Sequence, residues 1–222
     1  MTRRSPPALA AAALAVLGAA CASAPRPAPG ADGAGGEGRR PPTASDVAFV
    51  TGMIHHHAQA VVMSAWAPTH DASPEILTLA ERIDVSQRDE IAAAQRWLAA
   101  HRQPVPQVDE AGRVSPSPAG ADSSDAGGGA HAHHAMPMPG MLTPDQLARL
   151  DAARGPEFDR LFLTLMIPHH EGAITMVEEL FRSPGAAQDE AVFRFASDVQ
   201  ADQAAEIDRM KGMLAALPAG PR

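Results

Sequence analysis

The sequence predicts an all-α protein, an antiparallel four-helix bundle assembled from two duplicated helical hairpins. Three observations carry this expectation. The stretch 46–64, DVAFVTGMIHHHAQAVVMS, returns at 159–177 as DRLFLTLMIPHHEGAITMV, with nine of nineteen positions identical at an offset of 113. A second echo follows each copy: residues 79–98 match 195–214 through Ala80/Ala196, Gln87/Gln203, Glu90/Glu206, Ile91/Ile207 and Leu98/Leu214, now at an offset of 116. The repeated unit is therefore two helices long, and two copies make a duplication, not a solenoid. Helical phase is the third observation. At about 100° per residue, Asp46, Phe49, Met53, His56, His57, Ala60 and Met63 share one face, as do Ala80, Ile83, Gln87, Glu90, Ile91, Ala94 and Leu98. The identities thus lie mainly on the faces that would be buried.

Taken in order, residues 1–20 read as a signal peptide: Arg3 and Arg4 precede an apolar run, ALAAAALAVLGAA, too short to span a bilayer. LGAAC resembles a bacterial lipoprotein signal, which would make Cys21, the single cysteine, the lipidation site; the alternative is a plain secretory cleavage near CASA. Residues 21–42 are rich in Pro, Gly and Ala and read as a flexible tether. The first hairpin occupies 43–101, with helices near 44–66 and 75–101 separated by Pro68 and Pro74. Residues 102–141 form a low-complexity linker, expected to be disordered, ending in the His/Met-rich HAHHAMPMPGM. The second hairpin occupies 142–218: LTPDQLARL reads as a short capped helix, followed by helices near 155–182 and 187–217 around SPG at 183–185. Pro168 is expected to bend its helix or to place a break just before the histidines.

Both readings of the N-terminus place the protein outside the cytoplasm, in the bacterial cell envelope, anchored to the membrane only through lipid if Cys21 is acylated. A net charge of -8 argues against nucleic acid and offers no basic patch to anionic lipid.

The chemistry sits in the repeated HH-x5-M text. One buried Met is usually core filler, and one buried His usually satisfies a backbone carbonyl or carboxylate. Adjacent histidines written twice, each pair followed by a methionine, ask for more. The candidate metal ligands are His56, His57, Met63, His169, His170 and Met176. Cα atoms two helical turns apart are roughly 10 Å apart, so His56 and Met63 of one straight helix do not share an ion easily. Ligands shared between helices, with each His pair facing its twin, fit better. Imidazole and thioether without thiolate suit copper, above all Cu(I), and disfavour Mg or Ca; zinc on histidine and carboxylate competes. Met53 and Met166 are further candidates. Gln87, Glu90, Gln203 and Glu206 lie on the partner helices, where they would orient the imidazoles or merely bond helix to helix. His131, His133, His134, Met136, Met138 and Met141 would form a weak, flexible metal-capturing arm, or a solvated linker of biased composition.

The two copies of MI-x-HH-x-x-A-x-x-M, with MPGMLTPDQLARL, FDRLFLTLMIPHHEGAITM and the Q-x-x-EI helices, resemble the DUF305 family over about residues 44–217 apart from the linker. The resemblance implies a ferritin-like four-helix bundle in an extracytoplasmic bacterial protein. Some members are linked to copper binding and tolerance, which implies His56, His57, Met63, His169, His170 and Met176 as ligands. One departure is Ala94, where the second copy and many members have Met, here Met210; if that methionine binds metal, the first half-site is weakened.

The expected function is copper buffering, tolerance or delivery in the envelope, the last requiring a copper-handling partner protein. The alternative is a structural or interaction bundle without metal. A di-metal oxidase is disfavoured, because its Glu-x-x-His signature occurs nowhere in the chain.

Overall fold

A computed structural model describes residues 41–115 and 138–218. The signal peptide, Cys21, most of the tether, and His131, His133, His134 and Met136 lie outside the described residues.

Helix α1 (Ala44–Trp66) begins with a capping box: the Thr43 side chain accepts from Asp46 N–H, and the Asp46 carboxylate accepts from Thr43 N–H. A short 3₁₀ turn containing Pro68 stops it. Ser73 caps α2 (Pro74–Ala100), with proline at the first helical position, where its missing N–H is harmless. Thr143 and Gln146 form a second capping box on the short α3 (Pro144–Ala152). Helices α4 (Gly155–Arg182) and α5 (Glu190–Ala216) complete the set, α5 capped by Asp189. The four long helices form two hairpins, α1–α2 and α4–α5, which meet chiefly through α1 and α4.

Three expectations need correction. Of the two outcomes expected at Pro168, the break before the histidines does not occur, since α4 runs through it as one continuous element. Helix α5 starts three residues later than expected, because Ala187 takes a left-handed backbone (φ 55°) that helix cannot accommodate. The linker is ordered at its start. Strands β1 (Gln107–Val108) and β2 (Val114–Ser115) pair antiparallel. The Asp109 carboxylate closes their turn by accepting from the N–H groups of Ala111 and Arg113. Gln95 reaches the carbonyl of Pro106 at 2.8 Å. Gly112 (φ 75°) lies so near α1 that a Cβ would stand 2.7 Å from the Ala58 carbonyl oxygen. Low complexity concealed this because the anchors are single side chains, not a periodic pattern.

The core falls into two apolar clusters. One holds Phe49, Val50, Met53 and Ile54 of α1 with Ile91, Ala94, Leu98, Met176, Val177, Val192 and Val199. The other holds Met63 with Ile76, Leu79, Ile83, Phe158, Phe162, Met166, Ile207 and Met210. Each fully buried large apolar side chain contributes roughly 1.5–3 kcal/mol. Two buried aspartates hold the hairpins to each other. Asp46 Oδ1 accepts from Ala187 N–H in the turn of the other hairpin at 2.7 Å. Its repeat partner Asp159 accepts from Ser73 N–H in the turn of the first at 3.1 Å. The duplication thus carries a reciprocal clasp.

Candidate metal centre

Along each long helix the residues between the two apolar clusters are polar and buried: His56, His57, Gln87, His169, His170, Gln203 and Glu206. All four imidazoles are 0% exposed. Neighbours on a helix point about 100° apart, so each His–His pair splits its directions. His56 of α1 and His169 of α4 face each other across the seam between hairpins, with ring centroids 3.9 Å apart and planes tilted by 35°. His57 and His170 turn toward the second helix of their own hairpin. His170 Nε2–H donates to Glu206 Oε2 at 2.8 Å. In the first hairpin Glu90 Oε2 lies 2.6 Å from His57 Nε2, but out of line, so neither atom is hydrogen-bonded.

These contacts decide which nitrogen is free. His56 donates its Nε2–H to the carbonyl of Pro139 at 3.1 Å, and His170 donates to a carboxylate. In neither ring does Nδ1 have a partner, and in His56 it then carries the lone pair. His169 has no hydrogen bond at either nitrogen; the His56 carbonyl nearby favours its protonated form only slightly. Burial, followed by the charge of His57, pushes the His56 pKa down to about 3. Burial, followed by His56, depresses His169 as well. Both rings are therefore neutral at pH 7, the form in which imidazole ligates metal. Among the described residues, nine of the twelve buried side-chain N and O atoms without a hydrogen-bond partner belong to this layer, including both amide atoms of Gln87 and Oε1 of Gln203, and a tenth is Oε2 of Glu90 beside His57. Each such atom costs about 1–3 kcal/mol, a concentration that packing alone does not reward.

A strap formed by residues 138–142 crosses the α1–α4 seam beside the histidines. Gln59 holds it through two hydrogen bonds, donating to the Leu142 carbonyl (3.2 Å) and accepting from Leu142 N–H (2.7 Å). On the other side Gly172 lets it approach: a Cβ there would stand 2.1 Å from the Pro139 carbonyl oxygen. Gln59 and Gly172 occupy equivalent positions of the repeat. Their divergence is the sequence signal for the strap, and it goes unread when only identities are compared.

The methionines sort by cluster, not by repeat. Met53 of the first copy lies with Met176 of the second, joined by Met138 from the strap. Met63 lies with Met166 and Met210. Met210 therefore belongs to the group around Met63, while Ala94 faces the group around Met53 and Met176. Met141 is half-buried, its N–H bonded to the Met138 carbonyl.

On the Glu90 side a groove of about 370 Å³ is lined by Asp89, Glu90, Asp198 and Asp202. Partial burial, followed by the charges of Glu90 and Glu206, raises the Asp202 pKa. Among the described residues no three His, Cys, Asp or Glu side chains stand in metal-holding geometry. A zinc site normally requires three or four such ligands.

Fold and site define a class: a duplicated helical-hairpin protein with a buried histidine layer between two methionine groups. The chain belongs to the DUF305 family, a domain of unknown function, whose model matches residues 46–214. A DUF305 fragment from Deinococcus radiodurans is 28% identical with a TM-score of 0.60, covering 79% of this chain and 98% of that one. CopM in its Cu(II)-bound form is 27% identical with a TM-score of 0.54, covering 77% of this chain and 95% of that one. CopM in its Cu(I)-bound form is 26% identical with a TM-score of 0.53, at the same coverage. A comparison with curated proteins gives no significant match.

Proposed function

We propose that this chain is an extracytoplasmic copper-binding protein that buffers or delivers Cu(I) through its buried histidine layer. One observation carries the reading: His56 and His170 each have Nε2–H tied to an oxygen acceptor while Nδ1 is buried and free. This is the arrangement that fixes the tautomer and orientation of a metal-ligating imidazole. His56 and His169 would be the central ligands, with His57 and His170 beside them. Met63 and Met176, each grouped with methionines of the other copy, would supply thioethers on the two sides. Glu206 orients His170, and Glu90 stands ready to do the same for His57. The bound forms of CopM support copper as the cargo. LGAAC and Cys21 support export and lipid anchoring, which would hold the bundle at the membrane surface.

The role is binding, not turnover. The chain's residues here would select, orient and shield an ion, and the Glu-x-x-His signature of a di-metal oxidase does not occur in the sequence. The test is an anaerobic Cu(I) competition titration of the full chain beside His169→Ala/His170→Ala, with Zn(II) as control. Tight Cu(I) binding that the double variant loses is the expected result. Equal binding by both proteins would refute the assignment.

A further inference from the structure

The two methionine groups differ in access. Met63, Met166 and Met210 are fully buried. Met176 retains 8% exposure and, with Met138, Pro139, Phe49 and Gly52, lines an open cavity of about 500 Å³. The opening traces to one break in the repeat: Gly52 stands where the second copy has Leu165. A Cβ built on Gly52 would lie 3.2 Å from Met176 Cε and 3.5 Å from Met138 Sδ. Both thioether side chains therefore end over the same bare stretch of α1. Met138 also immediately precedes Pro139, whose carbonyl holds His56. The cavity wall and the histidine layer thus share one short piece of chain.

We propose that Met138 and Met176 form an outer thioether site that captures a soft monovalent cation, Cu(I) or Ag(I), at this cavity before it reaches the histidines. Neutral sulfur ligands discriminate against hydrated hard cations such as Mg²⁺ and Ca²⁺. Glu179, on the same wall, supplies negative charge. Passage inward is ligand exchange: thioethers leave, imidazole nitrogens replace them, and the ion keeps its oxidation state. That second step rests on the copper reading of the histidine layer; capture at the cavity does not.

The test uses the full chain carrying ¹³C-methyl methionine, titrated with Ag(I) and followed by NMR. In His169→Ala/His170→Ala, where the tight histidine layer no longer takes the ion, the ε-methyl signals of Met138 and Met176 should shift together as the weaker outer site fills; in the wild type they should do so once the histidine layer is saturated. Met138→Leu, a change that conserves volume, should weaken capture about tenfold or more, the scale seen when one group supporting a metal is lost. Gly52→Leu, which copies the other repeat, should close the cavity and act similarly with every sulfur retained. Methyl shifts at Met63 and Met166 with Met138 and Met176 unmoved would overturn the outer site, as would wild-type capture by Met138→Leu. Shifts at Met138 and Met176 in a protein whose histidines never respond would refute the histidine reading and leave the outer site standing.

Discussion

Gly172→Ala sets two magnitudes against each other. By helix propensity alone the change should stabilise α4 by up to about 1 kcal/mol. The added methyl would, however, stand 2.1 Å from the Pro139 carbonyl oxygen and 2.6 Å from Gly140 Cα. Those are backbone atoms, and no side chain can swing aside to relieve them. Overpacking of this kind costs about 1–3 kcal/mol. If the strap lifts, His56 loses its acceptor and Gln59 its two bonds to Leu142, each worth about 1 kcal/mol. The predicted net effect is a destabilisation of roughly 1–3 kcal/mol, read by urea unfolding of metal-free protein. In heat this corresponds to about 2–4 °C per kcal/mol for a chain of this size. Hydrogen exchange at the Leu142 amide should accelerate in parallel. A variant more stable than wild type, with Leu142 still protected, would show that the strap does not lie against Gly172.

Two further outcomes follow from the same packing. Asp46→Ala and Asp159→Ala should each lower stability by about 1–3 kcal/mol in urea unfolding, because each leaves an N–H of the opposite turn unpaired, the buried one of Ala187 or the part-buried one of Ser73; loss at only one of them would break the symmetry of the clasp. Acid should also destabilise the metal-free protein. The His56 pKa of about 3 in the folded state lies below its ordinary value of 6.5, so the unfolded chain binds the proton more readily between these values. Its contribution is full above pH 6.5 and falls as pH drops toward 3, amounting to about 2 kcal/mol lost at pH 5. His169 acts in the same direction. Urea unfolding at pH 7.5 and pH 5 checks this, and a smaller fall in midpoint in a His56→Gln variant would identify the share due to that residue, the remainder coming from His169.

The hairpins were legible because duplication marks buried positions twice. Phe49/Phe162 and Met53/Met166 recur in phase, and the cap read in LTPDQLARL lies at Thr143, where its helix starts. The meeting of His56 with His169 followed from the same symmetry. The strap and the cavity did not, because they rest on differences between copies: Gln59 against Gly172, and Gly52 against Leu165. Asp46 and Asp159 were visible as an identity but had no assigned task, since their partners are backbone amides more than 80 residues away. A backbone N–H has no letter in the sequence.

The reciprocal clasp also bears on how the two halves find their alignment. A face of Met, Ile, Leu and Ala is permissive, and α1 could slide along α4 by one turn, about 5.4 Å, and still bury oil against oil. Such a slip would pull Asp46 from Ala187, Asp159 from Ser73 and His56 from His169 at once. Two buried carboxylates would then lose their donors from the opposite hairpin, Asp46 keeping only those of Thr43, and the slipped state would be several kcal/mol poorer. The aspartates therefore act as an alignment key, rejecting near-miss dockings that the apolar surfaces alone would tolerate.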